Sequence, residues 1–337
     1  MVTKRFFGTT KNGEDVYAYT LENDRGIAVT VLDYGATLQS VVLTHKGKHI
    51  DVVLGYDTIE EYENNDAYLG ASIGRFAGRI PDSVLRIGSD AFPVTANEGK
   101  NHLHGGATGF DKRIWRVEQI RSDSSKVRGD SITFSLRSED GDEGYPGAVE
   151  FHAHYGLPGL VGRVLAICYR ATSDRVTAWN PTNHAYWNLN GHDSGDARGH
   201  LLELPADRYV PVDGACIPTG GDADVTGTRF DFRKLREIAG TYDHSFVLDG
   251  HVLKLVGNRG IGMQIRTDCK AVQFYTAEYL AERRGKGGVI YRPYGAVCLE
   301  TEGRQTMRNL PVAPENVLSD KGQSVHNTHY RFIFEED

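Results

Sequence analysis

Cysteine is scarce here. The four present, Cys168, Cys216, Cys269 and Cys298, are too scattered to form a C-x-x-C pair. That spacing excludes the usual zinc-cluster and dithiol redox patterns. Cys168 and Cys298 lie in apolar runs and read as small core hydrophobes, a usage that suits a reducing compartment. Long apolar runs are missing too. No window resembles a transmembrane helix, and residues 1–8 lack the apolar core of a signal peptide, so a cytoplasmic protein without a membrane partner is expected. Basic blocks are absent from a chain whose net charge is −7, which leaves a nucleic-acid partner without electrostatic support. The chain has neither a G-x-x-x-x-G-K-[ST] phosphate loop nor a G-x-G-x-x-G turn after a strand. It also lacks a G-x-S-x-G nucleophile elbow. Helical patterns are few: 231–238 is the best candidate, and 58–62 reads as one turn with Thr58 as N-cap.

What remains is glycine and alternation. Thirty-nine glycines punctuate short runs of period-two hydrophobicity, the signature of strands. Asn12-Gly13 is a hairpin signal. Runs at 27–32 and 38–43 flank a turn at 33–36, and further strand patterns fall at 132–136, 149–155, 163–170, 262–267, 272–276, 296–301 and 330–334. No repeat, low-complexity segment or linker divides the chain. An all-β architecture of large antiparallel sheets with few short helices, in a single domain over 1–337, is therefore expected.

Several stretches carry residues suited to chemistry. Segment 180–191 sets His184 beside Tyr186 and Trp187, where apolar rings shift the charge state of an imidazole. Imidazole is also the side chain best matched to proton transfer near neutral pH. Glu300 ends the apolar run 296–299. Alternation puts it on the face of Ala296 and Cys298, where burial raises a carboxyl pKa and makes it a useful base. Segment 74–80 holds two glycines and two arginines, a tight backbone presenting guanidinium groups. His102 and His104 sit in a Gly-rich loop. Each of the pairs His102/His104 and His152/His154 puts two imidazoles on one face, but neither comes with the ligand pattern of a metal site. His152 and His154 read instead as the solvated face of a strand. Phe76, Tyr186 and Trp187 suit either the core or the apolar face of a ligand.

Taken in order, Gly74 to Ile80, Asn101 to Gly106, Gly144-Tyr145-Pro146-Gly147, Pro181 to Gly191, Asp243-His244-Ser245-Phe246, Gln273-Phe274-Tyr275-Thr276 and Cys298-Leu299-Glu300-Thr301 resemble the aldose 1-epimerase (galactose mutarotase) family over nearly the whole chain. The resemblance implies a galactose-mutarotase-like β-supersandwich. It implies cofactor-independent interconversion of the α and β anomers of a free aldohexose of the glucose or galactose type, in a monomer or homodimer. By the same resemblance Glu300 is the general base and His184 the general acid, with His104 a second imidazole near the ring oxygen. The resemblance also implies that Arg75 and Asp243 hydrogen-bond sugar hydroxyls and that Gln273 is a further polar group of the substrate-binding pocket. Two other readings stay open: the same acid–base site used for dehydration or isomerisation of a non-sugar metabolite, and a non-catalytic sugar-binding protein. The chain departs from the family pattern at Glu302, where Gln is usual, in the loop 303–311, and at Ala277-Glu278, where Gly-Asn is usual. A solvent-facing Glu302 paired with Arg304 or Arg308 is the expectation, because an exposed ion pair asks least of the fold.

Overall fold

Alternation along the chain becomes three large antiparallel sheets and several two-stranded ones in the computed structural model, which describes residues 1–123, 129–159, 162–250 and 252–335. The strand Val149–Leu157 shows the rule. Val149, Phe151, Ala153, Tyr155 and Leu157 are buried, while Glu150, His152 and His154 between them are half-exposed. His152 bonds Glu118 and His154 bonds Thr133 on that outer face, as a solvated strand face requires.

The first sheet is a five-stranded meander from Thr3–Thr9 through Asp15–Asn23, Ile27–Leu32 and Thr37–His45 to Lys48–Asp51. Its opening hairpin turns at Gly13, whose φ of 83° suits glycine. Nine strands make the second sheet, in which Gln323–Phe334 lies between Val164–Ser173 and Ile261–Thr267. The third has six strands, with Val297–Glu302 between Tyr186–Trp187 and Ala271–Tyr275. One apolar core joins them. Val29, Val31 and Val41 of the meander, Phe134, Phe151 and Leu165 of the nine-stranded sheet, and Phe274, Val297 and Leu299 of the six-stranded sheet belong to it. The nine-stranded sheet thus backs both others.

Helix is limited to short pieces among the described residues. Ile59–Glu63 starts at the expected N-cap, Thr58, and the structure adds Glu61, which completes a capping box. No helix is long and apolar enough to cross a membrane. The helix expected at 231–238 does not form. Phe230, Phe232 and Ile238 are all buried, Arg233 is tied to Asp231 and Asp207, and Arg236–Glu237 pairs as a strand with Leu201–Glu203. Tertiary packing of the two phenylalanines overrides a weak local propensity.

Candidate active site

Strand Val297–Glu302 is buried along its whole length. Val297 and Leu299 enter the main core, so alternation turns Cys298, Glu300 and Glu302 to the other side. There Glu300 and Glu302 line a cavity with His104, His184, Asp243 and Gln273. Five of the six residues expected to form a site meet in it.

His184 is fixed by its backbone: Gly70 donates to its carbonyl and its N–H donates to Ala71, both at 2.9 Å. Its ring stacks on Tyr186, with centroids 5.1 Å apart and planes at 14°, and its Nε2 lies 3.7 Å from Glu300 Oε1. That gap is longer than a hydrogen bond. His184 Nδ1 has no hydrogen-bond partner among the described residues. His104 packs edge-on to His184 at 5.3 Å and accepts a hydrogen bond from Gly78 N–H at Nδ1. Gly78, at φ 75°, leaves no space for a Cβ, which would meet the Gln305 side chain at 2.5 Å. Tyr68, His104 and Cys216, all on the cavity wall, hold φ of 56°, 49° and 55°. Such left-handed backbone costs about 1–3 kcal/mol per residue and clusters at functional sites.

The titratable groups are strongly perturbed. Burial lowers His184 to about 4. His104 is held well below the ordinary imidazole range by burial and by His184. Glu300 is raised well above the carboxylate range by burial, then by the charges of Glu302 and Asp243, with Arg79 opposing. Burial thus disfavours the charged form of both groups. A carboxyl and an imidazole facing each other across 3.7 Å of open space can take one proton from a ligand and give another back. The donor atoms of His104, His184 and Glu300 also lie within 4.8 Å of one another, a spacing that suits a cation as well as proton transfer.

Arg75 is not in the cavity, which corrects the sequence expectation. It is 1% exposed, and its guanidinium is used up inside the fold. Nε donates to Ser138 Oγ, one terminal nitrogen to the carbonyls of Pro146 and Gly147, and the other to those of Ser138 and Glu139. Arg79, four residues on, lines the cavity instead and is oriented by a bidentate bond to Glu98 at 2.7 Å. Sequence reading also missed Tyr68, Arg283 and Gln305 on the walls. The double glycine-arginine repeat of 74–79 pointed to Arg79 as much as to Arg75. Of the three aromatics, Tyr186 lines the cavity, whereas Phe76 and Trp187 are buried in hydrophobic clusters.

Glu302 departs from expectation as well. It is 1% exposed rather than solvent-facing. Arg304 is occupied by Asp222 and Glu315, and Arg308 by Asp82. Gln305 Nε2 donates to Glu302 Oε1 at 2.5 Å. Burial pushes Glu302 up to about 8 against that bond.

Comparison with known proteins gives a consistent picture. The family model for aldose 1-epimerase matches residues 17–329. The chain is 34% identical to galactose mutarotase of Homo sapiens, with 98% of each chain covered. It is 35% identical to aldose 1-epimerase of Escherichia coli K12, over 96% of this chain and 97% of that one. The crystal structure of galactose 1-epimerase from Lactobacillus acidophilus superposes with a TM-score of 0.86 at 29% identity, over 100% of this chain and 99% of the other.

Proposed function

The chain belongs to the aldose 1-epimerase family, and on that ground we propose the roles its site residues take. The protein is an isomerase that interconverts the α and β anomers of a sugar. Its substrate is a free aldohexose of the glucose or galactose type, bound as a pyranose between Glu300 and His184. Glu300, as carboxylate, removes the proton of the anomeric hydroxyl. His184, as imidazolium, delivers a proton to the ring oxygen. The C1–O5 bond breaks and the open-chain aldehyde forms. Rotation about C1–C2 presents the other face of the carbonyl, and ring closure with the two roles reversed yields the other anomer. The proton count is unchanged over the cycle, so no cofactor is consumed.

His104 lies on the ring-oxygen side, keeping His184 in place and the positive charge local. Asp243, Gln273 and Arg79 bind the sugar hydroxyls. Gln273 donates to Asp243 at 2.6 Å and leaves its Oε1 buried without a partner, an acceptor ready for a hydroxyl donor. Arg79 takes the binding role first given to Arg75.

One observation supports this reading above the others: a carboxyl and an imidazole, shifted in opposite directions, face each other across 3.7 Å in one cavity. Such a pair contributes on the order of 10²–10⁴ per group in rate. Polarimetry of freshly dissolved α-glucose and α-galactose provides the test. Rotation should reach equilibrium faster in proportion to protein concentration; a rate equal to buffer alone on both hexoses refutes the reading.

A further inference from the structure

The proton transfers above give no task to a second buried carboxyl of the cavity, Glu302. Successive residues on one face of a strand stand about 7 Å apart, so Glu300 and Glu302 form a pair of carboxyls on one wall. They are 3% and 1% exposed, and among the described residues neither has a Lys or Arg nitrogen in ion-pair range.

Their donors differ. Glu302 accepts from Gln305 at 2.5 Å and is further favoured as an anion by the Asn180 amide. Among the described residues Glu300 accepts no hydrogen bond, and His184 Nε2 stands off at 3.7 Å. Hydrogen bonds to the charged form favour it, so Glu302 is the first of the two to ionise. Its charge then opposes ionisation of Glu300.

The rest of the surroundings add little to offset this. Across the sheet, Gln273 faces Glu300 and Ala271 faces Glu302, neither of them charged. Asp243 acts on both carboxyls in the same sense as they act on each other, and Arg79 opposes it at Glu300. Cys298 and Tyr186 beside Glu300 are held neutral by burial, as are Cys269 and Tyr330. Burial likewise disfavours the cationic forms of His184 and His104.

We propose that Glu302 is a positioning residue that sets the pH at which Glu300 becomes available as a base, and that Gln305 acts on that pH through Glu302. This rests on the reading of Glu300 as the base.

The test compares kcat/KM between pH 5 and 9 for the wild type, Glu302→Gln and Gln305→Met. Carboxyl-13C NMR of glutamate-labelled protein follows Glu300 in the wild type and Glu302→Gln, with the signal assigned by its loss in Glu300→Gln. In Glu302→Gln no charge opposes Glu300. In Gln305→Met the Glu302 anion loses its donor and Glu302 stays protonated to higher pH. Both variants should move the limb that follows Glu300 ionisation to lower pH by about half a unit or more. Half a unit is about a threefold change in the ratio of ionised to protonated Glu300 at a given pH. The Glu300 signal should move with it.

A limb and a Glu300 midpoint that coincide in all proteins overturn the proposal, whatever happens to the plateau. If Glu302→Gln does not fold, Gln305→Met decides. If the wild type accelerates no anomer interconversion, the proposed function falls, and the NMR midpoints still decide the coupling.

Discussion

The surroundings of Arg75 and of Glu300 treat buried ionisable groups in opposite ways. Around Arg75 every guanidinium N–H has a partner, four of them main-chain carbonyls and one a serine hydroxyl. Around Glu300 the polar atoms are incompletely matched. Among the described residues His184 Nδ1 and Gln273 Oε1 have no hydrogen-bond partner, and the carboxyl and imidazole stop short of a hydrogen bond at 3.7 Å. A buried charge whose bonds are all made inside the protein has nothing left to offer a ligand, and it fixes the fold. A buried group with bonds left open costs stability and is ready for a substrate to complete it. The contrast separates the two arginines of one short motif better than their sequence context does.

The largest effect expected from this contrast is on turnover. His184→Asn keeps the shape but removes the proton donor. Steady-state polarimetry should show kcat reduced by about 10² or more, with circular dichroism unchanged. Next come the arginines. Arg75→Met strands buried carbonyls and should cost about 3 kcal/mol or more in urea unfolding, with KM unaltered in the folded protein. Arg79→Met should do the reverse. Its pair with Glu98 is partly exposed, at 19% and 36%, so stability should change by less than about 1 kcal/mol, while KM rises about tenfold. If the two variants exchanged these phenotypes, the contrast would be broken.

A smaller effect concerns pH. Glu302 is raised in the folded state from 4.5 to about 8 by burial. A carboxyl raised on folding binds its proton more tightly in the native state. Its contribution is therefore fully present below about pH 4.5 and is lost as pH rises toward 8. Glu302→Gln has no such dependence. Its stability relative to wild type should improve between pH 6 and pH 8.5, by on the order of 1 kcal/mol, as read by urea midpoints. The smallest expected effect is none at all: exhaustive chelation should leave activity unchanged, because His184 and Glu300 are assigned to proton transfer. Stoichiometric metal whose removal abolishes turnover would reverse that assignment.

The sheets were legible in the sequence because each strand buries one face, and period-two patterns such as that of 149–157 survive any packing. The capped turn at Thr58 was legible because its hydrogen bonds are local. The segment 231–238 was not, since its conformation depends on where Phe230 and Phe232 find a core. Glu300 and His184 could be read from their apolar surroundings. Arg75 and Arg79 could not be told apart, because only the fold brings the carbonyls of 138, 139, 146 and 147 to one of them. Glu302 was misplaced for a related reason. Arg304 and Arg308 are its neighbours along the chain, yet Asp222, Glu315 and Asp82 claim them in space.

The most direct test of the account is the turnover of Glu300→Gln. The substitution preserves shape and removes the base, and it also removes an ionisable group whose charged form burial disfavours. The protein should unfold at a denaturant concentration equal to or above that of the wild type, and kcat on α-galactose should fall by about 10² or more. A well-folded Glu300→Gln protein that keeps wild-type turnover would contradict it.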